Sequence, residues 1–216
     1  MIPGQTRLES PDRGGYNPRM TQARTYFPVT VEALEREVEK VRDRAKRAAR
    51  ALADGGVPYA VVGGNAVASW ILHFGKGSGR NTRDVDILIR RDDFDAAKAA
   101  LEAGGFRYEH VFGVDVFLDG PGTPPSESVH LIYANEKVKS DYPAPSPDVS
   151  ESEEFEQFRV VSLESLVRMK LTSYRRKDQV HVLDLVEVGL VDQSWCARLP
   201  EALAARLQHL LDTPDE

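Results

Sequence analysis

Apolar positions along this chain fall into two rhythms that alternate. From Val31 the pattern Val31, Leu34, Val38, Val41, Ala45, Ala48, Leu52 recurs at steps of three and four, the mark of an amphipathic helix, and Gly55-Gly56 stops it. Two short apolar runs follow, Tyr59 to Val62 and Val85 to Ile89, with the length and β-branched content of strands. A helical stretch, Asn65 to Phe74, lies between them and is expected to turn Val67, Ile71 and Phe74 to the sheet, with Trp70 and His73 elsewhere. Arg91 to Gly105 reads as a further helix with Phe94, Ala97 and Leu101 inward. Phe106 to His110, Val114 to Leu118 and Val129 to Tyr133 read as strands, and Asp119-Gly120-Pro121-Gly122 begins a turn. The chain closes in helices over Leu163 to Tyr174, Asp178 to Val188 and Pro200 to Leu211, the first capped by Ser162. Strand–helix–strand–helix, then strands, then helices, predicts an α/β fold: a small mixed sheet flanked by helices, with a C-terminal helical subdomain.

The remaining stretches set the boundaries. Residues 1–29 lack periodicity and are rich in turn formers, so they are expected to be a flexible segment, with Met20 as a second candidate start. The α/β core is assigned to residues 30–134. A long connection rich in Pro and acids occupies 135–157, and the helical subdomain 158–216. A connection of that length is a candidate for covering a site or wrapping a partner. At 216 residues the chain suits one domain or one domain with a small appendage.

Composition narrows the class. A 41% hydrophobic fraction supports a core, and no apolar run approaches the length of a membrane span. The single cysteine, Cys196, excludes an internal disulfide and a cysteine-based zinc site, and the expectation is a cytoplasmic protein. A formal charge of −6 argues against a general nucleic-acid binder. Local basic clusters at Arg42, Arg44, Lys46, Arg47 and Arg50, and again at Arg168, Lys170, Arg175, Arg176 and Lys177, offer places for a polyanion.

The chemistry concentrates between Gly63 and Asp86. Side chains on a strand alternate, so Asp84 and Asp86 share one side while Val85, Ile87 and Ile89 take the other. Two carboxylates on one face repel unless a cation joins them, and a hard divalent ion such as Mg2+ or Mn2+ suits their oxygens. Gly63-Gly64, placed between a strand and a helix, permits close approach of a phosphate, and a helix start attracts anions. A turn or cap explains either feature taken singly; the combination in this order is the more specific signal.

Gly63-Gly64 followed by Asp84-Val85-Asp86-Ile87 resembles the nucleotidyltransferase superfamily typified by polymerase beta. The run Arg80-Asn81-Thr82-Arg83-Asp84-Val85-Asp86 resembles the motif of its minimal bacterial branch, which includes abortive-infection (toxin–antitoxin) nucleotidyltransferases. Gly75-Lys76-Gly77-Ser78-Gly79 lengthens the gap between the glycines and the acids relative to the polymerases. The resemblance implies metal held by Asp84 and Asp86, and a nucleoside triphosphate over Gly63 and Gly64 with Arg80, Arg83 and Lys170 at its phosphates. It implies a third acid on a later strand, where the matching stretch Val129 to Ile132 has His130. Either His130 or Asp115, from the neighbouring strand, takes that role. The implied reaction is transfer of a nucleoside monophosphate to a hydroxyl of RNA, protein or a small molecule, with a cognate antitoxin or a homodimer as further partners. A nucleotide-binding regulator without activity, or an interaction protein on a relict fold, stands as the alternative.

Overall fold

The computed structural model describes residues 30–75 and 82–214. The expected flexible segment 1–29, and Arg80, lie outside the described residues. Thr30 opens helix α1 (Val31–Asp54) by accepting a hydrogen bond from the Ala33 amide, and Glu32 in the first turn suits the positive end of the helix dipole. Strand β1 (Ala60–Val62) passes straight into α2 (Gly63–His73). Strand β2 (Val85–Ile89), a 3-10 turn (Arg91–Asp93) and α3 (Phe94–Ala103) come next. Strands β3 (Arg107–Val111), β4 (Val114–Leu118) and β5 (Val129–Tyr133) follow, with a 3-10 turn (Pro125–Glu127) before the last.

Two strands that the hydrophobic pattern did not disclose then appear, β6 (Ser152–Glu154) and β7 (Arg159–Val161). They carry the sheet past residue 134 into segments read from sequence as a connection and a helical subdomain. Helices α4 (Leu163–Ser173), α5 (Arg176–Glu187) and α6 (Glu201–Asp212) end the described chain. None of the described helices is long and apolar enough to cross a membrane.

The described strands form one mixed sheet in the order β3-β4-β5-β2-β1-β7-β6. β2 lies near its middle, antiparallel to β1 and parallel to β5, with Asp86 opposite Val62 on one side and His130 on the other. Period-two alternation sends the two faces of the sheet into separate cores. Val85, Ile87 and Ile89 join Val129, Leu131 and Phe117 beneath α1 and α3. Leu88, Ala60, Val62 and Val160 belong to the core formed with α2 and α4 to α6. Trp70, expected to stand aside from the α2 packing stripe, is buried, and its indole N–H donates to the Val161 carbonyl at 2.9 Å. Phe74, expected to pack inward, lies just beyond the helix end, 49% exposed, stacked on Trp70.

The connection after β5 is tied down at several points. The Ser146 amide donates to Glu136, whose carboxylate pairs with both nitrogens of an Arg91 fork at 2.5 and 2.6 Å. Asp148 takes the Arg90 guanidinium in the same two-point fashion, at 3.0 and 2.7 Å.

Candidate active site

β2 presents Asp84, just before its first residue, and Asp86 within it on the face shared with α2 and α4. His130 enters from β5 in direct register with Asp86. Its Nδ1 lies 3.7 Å from Asp86 Oδ1 and 4.0 Å from Asp84 Oδ2. One ligand atom from each of the three lies within 4.8 Å of the others, and no other such group of metal-ligating side chains occurs among the described residues.

The start of α2 closes over this group. Gly63 has φ +71°, a backbone state that side chains with a Cβ disfavour, and a Cβ there would come 2.0 Å from Asp86 Oδ2. The first glycine is therefore fixed by the carboxylate it rests against. Gly64 is crowded for a separate reason: its Cβ would stand 3.0 Å from that of Thr82. Asn65, in the first turn of α2, donates to the Asp84 carbonyl at 2.8 Å and ties the helix to the start of β2. The N-cap, Val62, has no side-chain acceptor to offer the first-turn amides.

The two acids experience different surroundings. Burial alone would push the Asp84 carboxyl up. The Thr82 hydroxyl, donating to Oδ1 at 2.5 Å, a backbone N–H, and the charge of Lys177 outweigh it and hold Asp84 below its ordinary value. Asp86 is pushed up, first by burial and then by the field of Asp84. One group ready to ionise beside one reluctant to do so is a pair that gains from a cation. With Asp84 Oδ2 and Asp86 Oδ1 turned towards a common point, the donor set fits a divalent ion.

A cationic corner faces the acids from the junction of α4 and α5. Lys170 is buried and bonds Asp178 Oδ1 at 3.1 Å; burial pulls the amine down, against the attraction of Asp178 and Asp86. Asp178, wholly buried, also accepts from Ser173 at 2.8 Å and Arg175 at 2.6 Å, and these partners hold its carboxyl down at about 2 despite burial. Arg175 and Lys177 both act electrostatically on Asp86. The corner turns at Tyr174, in left-handed backbone at φ +47°, and Arg206 of α6 braces it by donating to the Leu171 and Thr172 carbonyls at 2.6 and 2.9 Å.

The family model described as "Uncharacterised nucleotidyltransferase" matches residues 19–188. The chain belongs to this nucleotidyltransferase family. No curated protein matches it by sequence. Among solved structures, it is similar to an antigenic nucleotidyltransferase-like protein from Paracoccidioides brasiliensis. That pair has a TM-score of 0.51 and 17% identity over 83% of this chain and 91% of the other, a likeness of fold. The antibiotic-resistance factor ANT(2'')-Ia gives a TM-score of 0.45 at 16% identity, over 83% of this chain and 93% of that one.

Of the residues expected at the site, the fold brings Gly63, Gly64, Asp84, Asp86 and His130 together and sets Lys170 behind them, paired with Asp178. Asp115 is a correction. Val116 is the β4 residue in register with His130, so Asp115 points through to the opposite face. There it accepts from Tyr108 at 2.9 Å and from Tyr133, and meets His110 Nδ1 at 2.8 Å, in a polar cluster facing away from the metal-ligating group. Arg83 has an exposed side chain whose charge is felt by Glu37 on α1, and its carbonyl accepts from Arg44 at 2.8 Å. The residues missed are Thr82, Arg175 and Lys177. All three lay inside motifs already singled out; the hydrogen bond from Thr82 to Asp84 is local, whereas the pull of Arg175 and Lys177 on the acids depends on tertiary structure.

Proposed function

We propose that the protein transfers a nucleoside monophosphate from a nucleoside triphosphate to an acceptor hydroxyl, with a divalent cation held by Asp84 and Asp86 and with His130 in the third position. The observation that carries this reading is the convergence of two carboxylate oxygens and one imidazole nitrogen beside the start of α2, opposite a cationic corner. The residues divide the work. Gly63 and Gly64 keep the helix start bare of side chains, so that first-turn amides meet phosphate oxygens. Arg175 and Lys177 attract the triphosphate, and Lys170 with Asp178 keeps that corner rigid. Arg80 and Arg83 are proposed as further phosphate contacts. Mg2+ or Mn2+, when bound here, supplies charge neutralisation of the attacking and leaving oxygens.

For the acceptor we propose a macromolecule, RNA or protein, in the cytoplasm. What supports this is the resemblance of Arg80 to Asp86 to the toxin-like branch, which also makes a cognate antitoxin or a homodimer the expected partner. A second reading, a nucleotide-binding regulator that performs no transfer, is favoured by one observation: an imidazole, His130, stands where the polymerases have an acid.

Incubation with each labelled triphosphate, Mg2+ or Mn2+, and RNA, protein or small-molecule acceptors separates the readings. The expected result is a labelled acceptor and released pyrophosphate, both lost when Asp84→Asn is combined with Asp86→Asn. Metal-dependent nucleotide binding without label transfer would leave the regulator. Binding unchanged in the double variant would remove both.

A further inference from the structure

His130 donates through Nε2, and this determines what its other nitrogen does. Nε2 lies 2.7 Å from the Pro125 carbonyl oxygen, which only accepts, so Nε2 carries the hydrogen. That carbonyl is fixed in place: it lies in the 3-10 turn before β5 and also accepts from the Ser128 hydroxyl at 2.6 Å. Nδ1 faces the gap between Asp86 Oδ1 and Asp84 Oδ2, and in the neutral ring, the form that binds a metal, it holds the lone pair there.

The separations of 3.7 and 4.0 Å are too long for hydrogen bonds to either oxygen. They agree with atoms sharing one ion: two ligands each about 2.1 Å from a metal lie roughly 3 Å apart when adjacent and about 4.2 Å when opposite. A ring N–H anchored on a backbone carbonyl, with the other nitrogen turned to an acidic pair, is the outer arrangement that orients a ligating histidine. Thr82 plays the matching part for Asp84, occupying Oδ1 and leaving Oδ2 towards the gap.

We infer that His130 is a nitrogen ligand to the cation of this site, and that it turns the site away from Mg2+ towards a first-row transition ion. The inference rests on the reading of Asp84 and Asp86 as a metal site and adds to it the identity of the metal. Mg2+ sheds water reluctantly and takes oxygen ligands, whereas imidazole suits softer divalent ions. A neutral ligand in place of a third carboxylate also removes one negative charge, which weakens a hard ion most. Among the described residues no further acid joins this group: Val116, the β4 neighbour of His130 on this face, is apolar, Asp115 faces away, and Asp178 is taken up by Lys170 and Arg175.

The test uses Mn2+ and Mg2+ as probes on the full chain. Pulsed EPR of bound Mn2+ is expected to show the modulation of a directly bound imidazole nitrogen, absent in His130→Asp. Calorimetry is expected to give a preference for Mn2+ over Mg2+ about tenfold greater in the wild type than in His130→Asp. In His130→Gln, Mn2+ affinity is expected to fall about 10–100-fold. Thermal melts check that both variants fold, and the wild-type spectrum requires no variant. Metal binding that depends on Asp84 and Asp86, but shows no imidazole modulation and the same preference in His130→Asp, overturns this inference alone. Such a result would make His130 an imidazolium or a base. No divalent binding at all, or binding that survives Asp84→Asn with Asp86→Asn, overturns the underlying metal site as well.

Discussion

Replacing Gly63 by alanine adds one methyl group and tests the geometry of the acidic pair. Two effects are expected, and the structure provides a control that separates them. The first is backbone strain, since Gly63 sits at φ +71° and a Cβ in that region costs roughly 1–2 kcal/mol. In a protein of this size that amounts to a fall of about 2–8 °C in Tm. Gly56, after α1, has φ +68° with nothing within 4 Å of the added Cβ, so Gly56→Ala is expected to carry the same strain alone. The second effect belongs to Gly63: the methyl would stand 2.0 Å from Asp86 Oδ2 and 2.9 Å from its Cγ. Ordinary contact begins near 3.4 Å, so the oxygen must retreat by about 1.4 Å. A displacement of that size takes Asp86 Oδ1 out of line with Asp84 and His130, and metal affinity is expected to fall about 10–100-fold. Calorimetric titration of Mn2+ into both variants, beside thermal melts, makes the comparison. Equal metal affinity in Gly63→Ala and Gly56→Ala would refute the argument, since the Asp86 contact would then have no bearing on the site.

Asp86→Asn is expected to raise Tm at neutral pH in EDTA and to lose that advantage in excess Mn2+. The folded pKa of Asp86 is raised, so the wild type loses stability as pH climbs from the unfolded value of about 3.9 through the folded one. Metal binding offsets this only when the carboxylate is present, and a lower Tm for the variant in EDTA would contradict the assignment. Asp178 has the opposite sign. Its pKa is held down at about 2, so its contribution is complete above the unfolded value of about 3.9 and is lost as pH falls towards 2. Asp178→Ala leaves Lys170 buried without its partner and is expected to cost about 3–5 kcal/mol by chemical denaturation at pH 7, with Lys170→Met alongside recovering most of it.

Alternation on β2 made the shared face of Asp84 and Asp86 legible in the sequence, because it needs nothing beyond the strand itself. The parity of Asp115 was not legible. It depends on the register between β4 and β5, where Val116 meets His130, and no local pattern encodes how two strands slide past one another. Strand β6, Ser-Glu-Glu, has no apolar alternation and is a strand by virtue of its pairing with β7. The stripe on α2 was legible at Val67 and Ile71 but not at Trp70, which is buried, nor at Phe74, which the helix leaves outside by stopping at His73. Gly63 was read from the sequence as a glycine that lets a phosphate come close. The close approach is made by Asp86, a contact set by the pairing of β1 with β2, which no local pattern shows.

The placement of β2 near the middle of the sheet bears on how the site behaves in time. Its residues Val85, Ile87, Leu88 and Ile89 are fully buried, β5 pairs with it along its whole length and β1 pairs with Asp86, Ile87 and Leu88. Backbone amides in such a strand exchange with solvent only when the whole molecule opens. Asp86 is therefore expected to ride on one of the slowest-exchanging parts of the protein, with Asp84 at its edge. The cations facing them sit at a sharp turn at Tyr174, held from within by Asp178 and from α6 by Arg206. Deuterium uptake at the exposed residues Arg175 to Lys177 is expected to run ahead of β2 and to slow on nucleotide addition, so that the acids act as the fixed side of the site and the exposed cations as the side that adjusts.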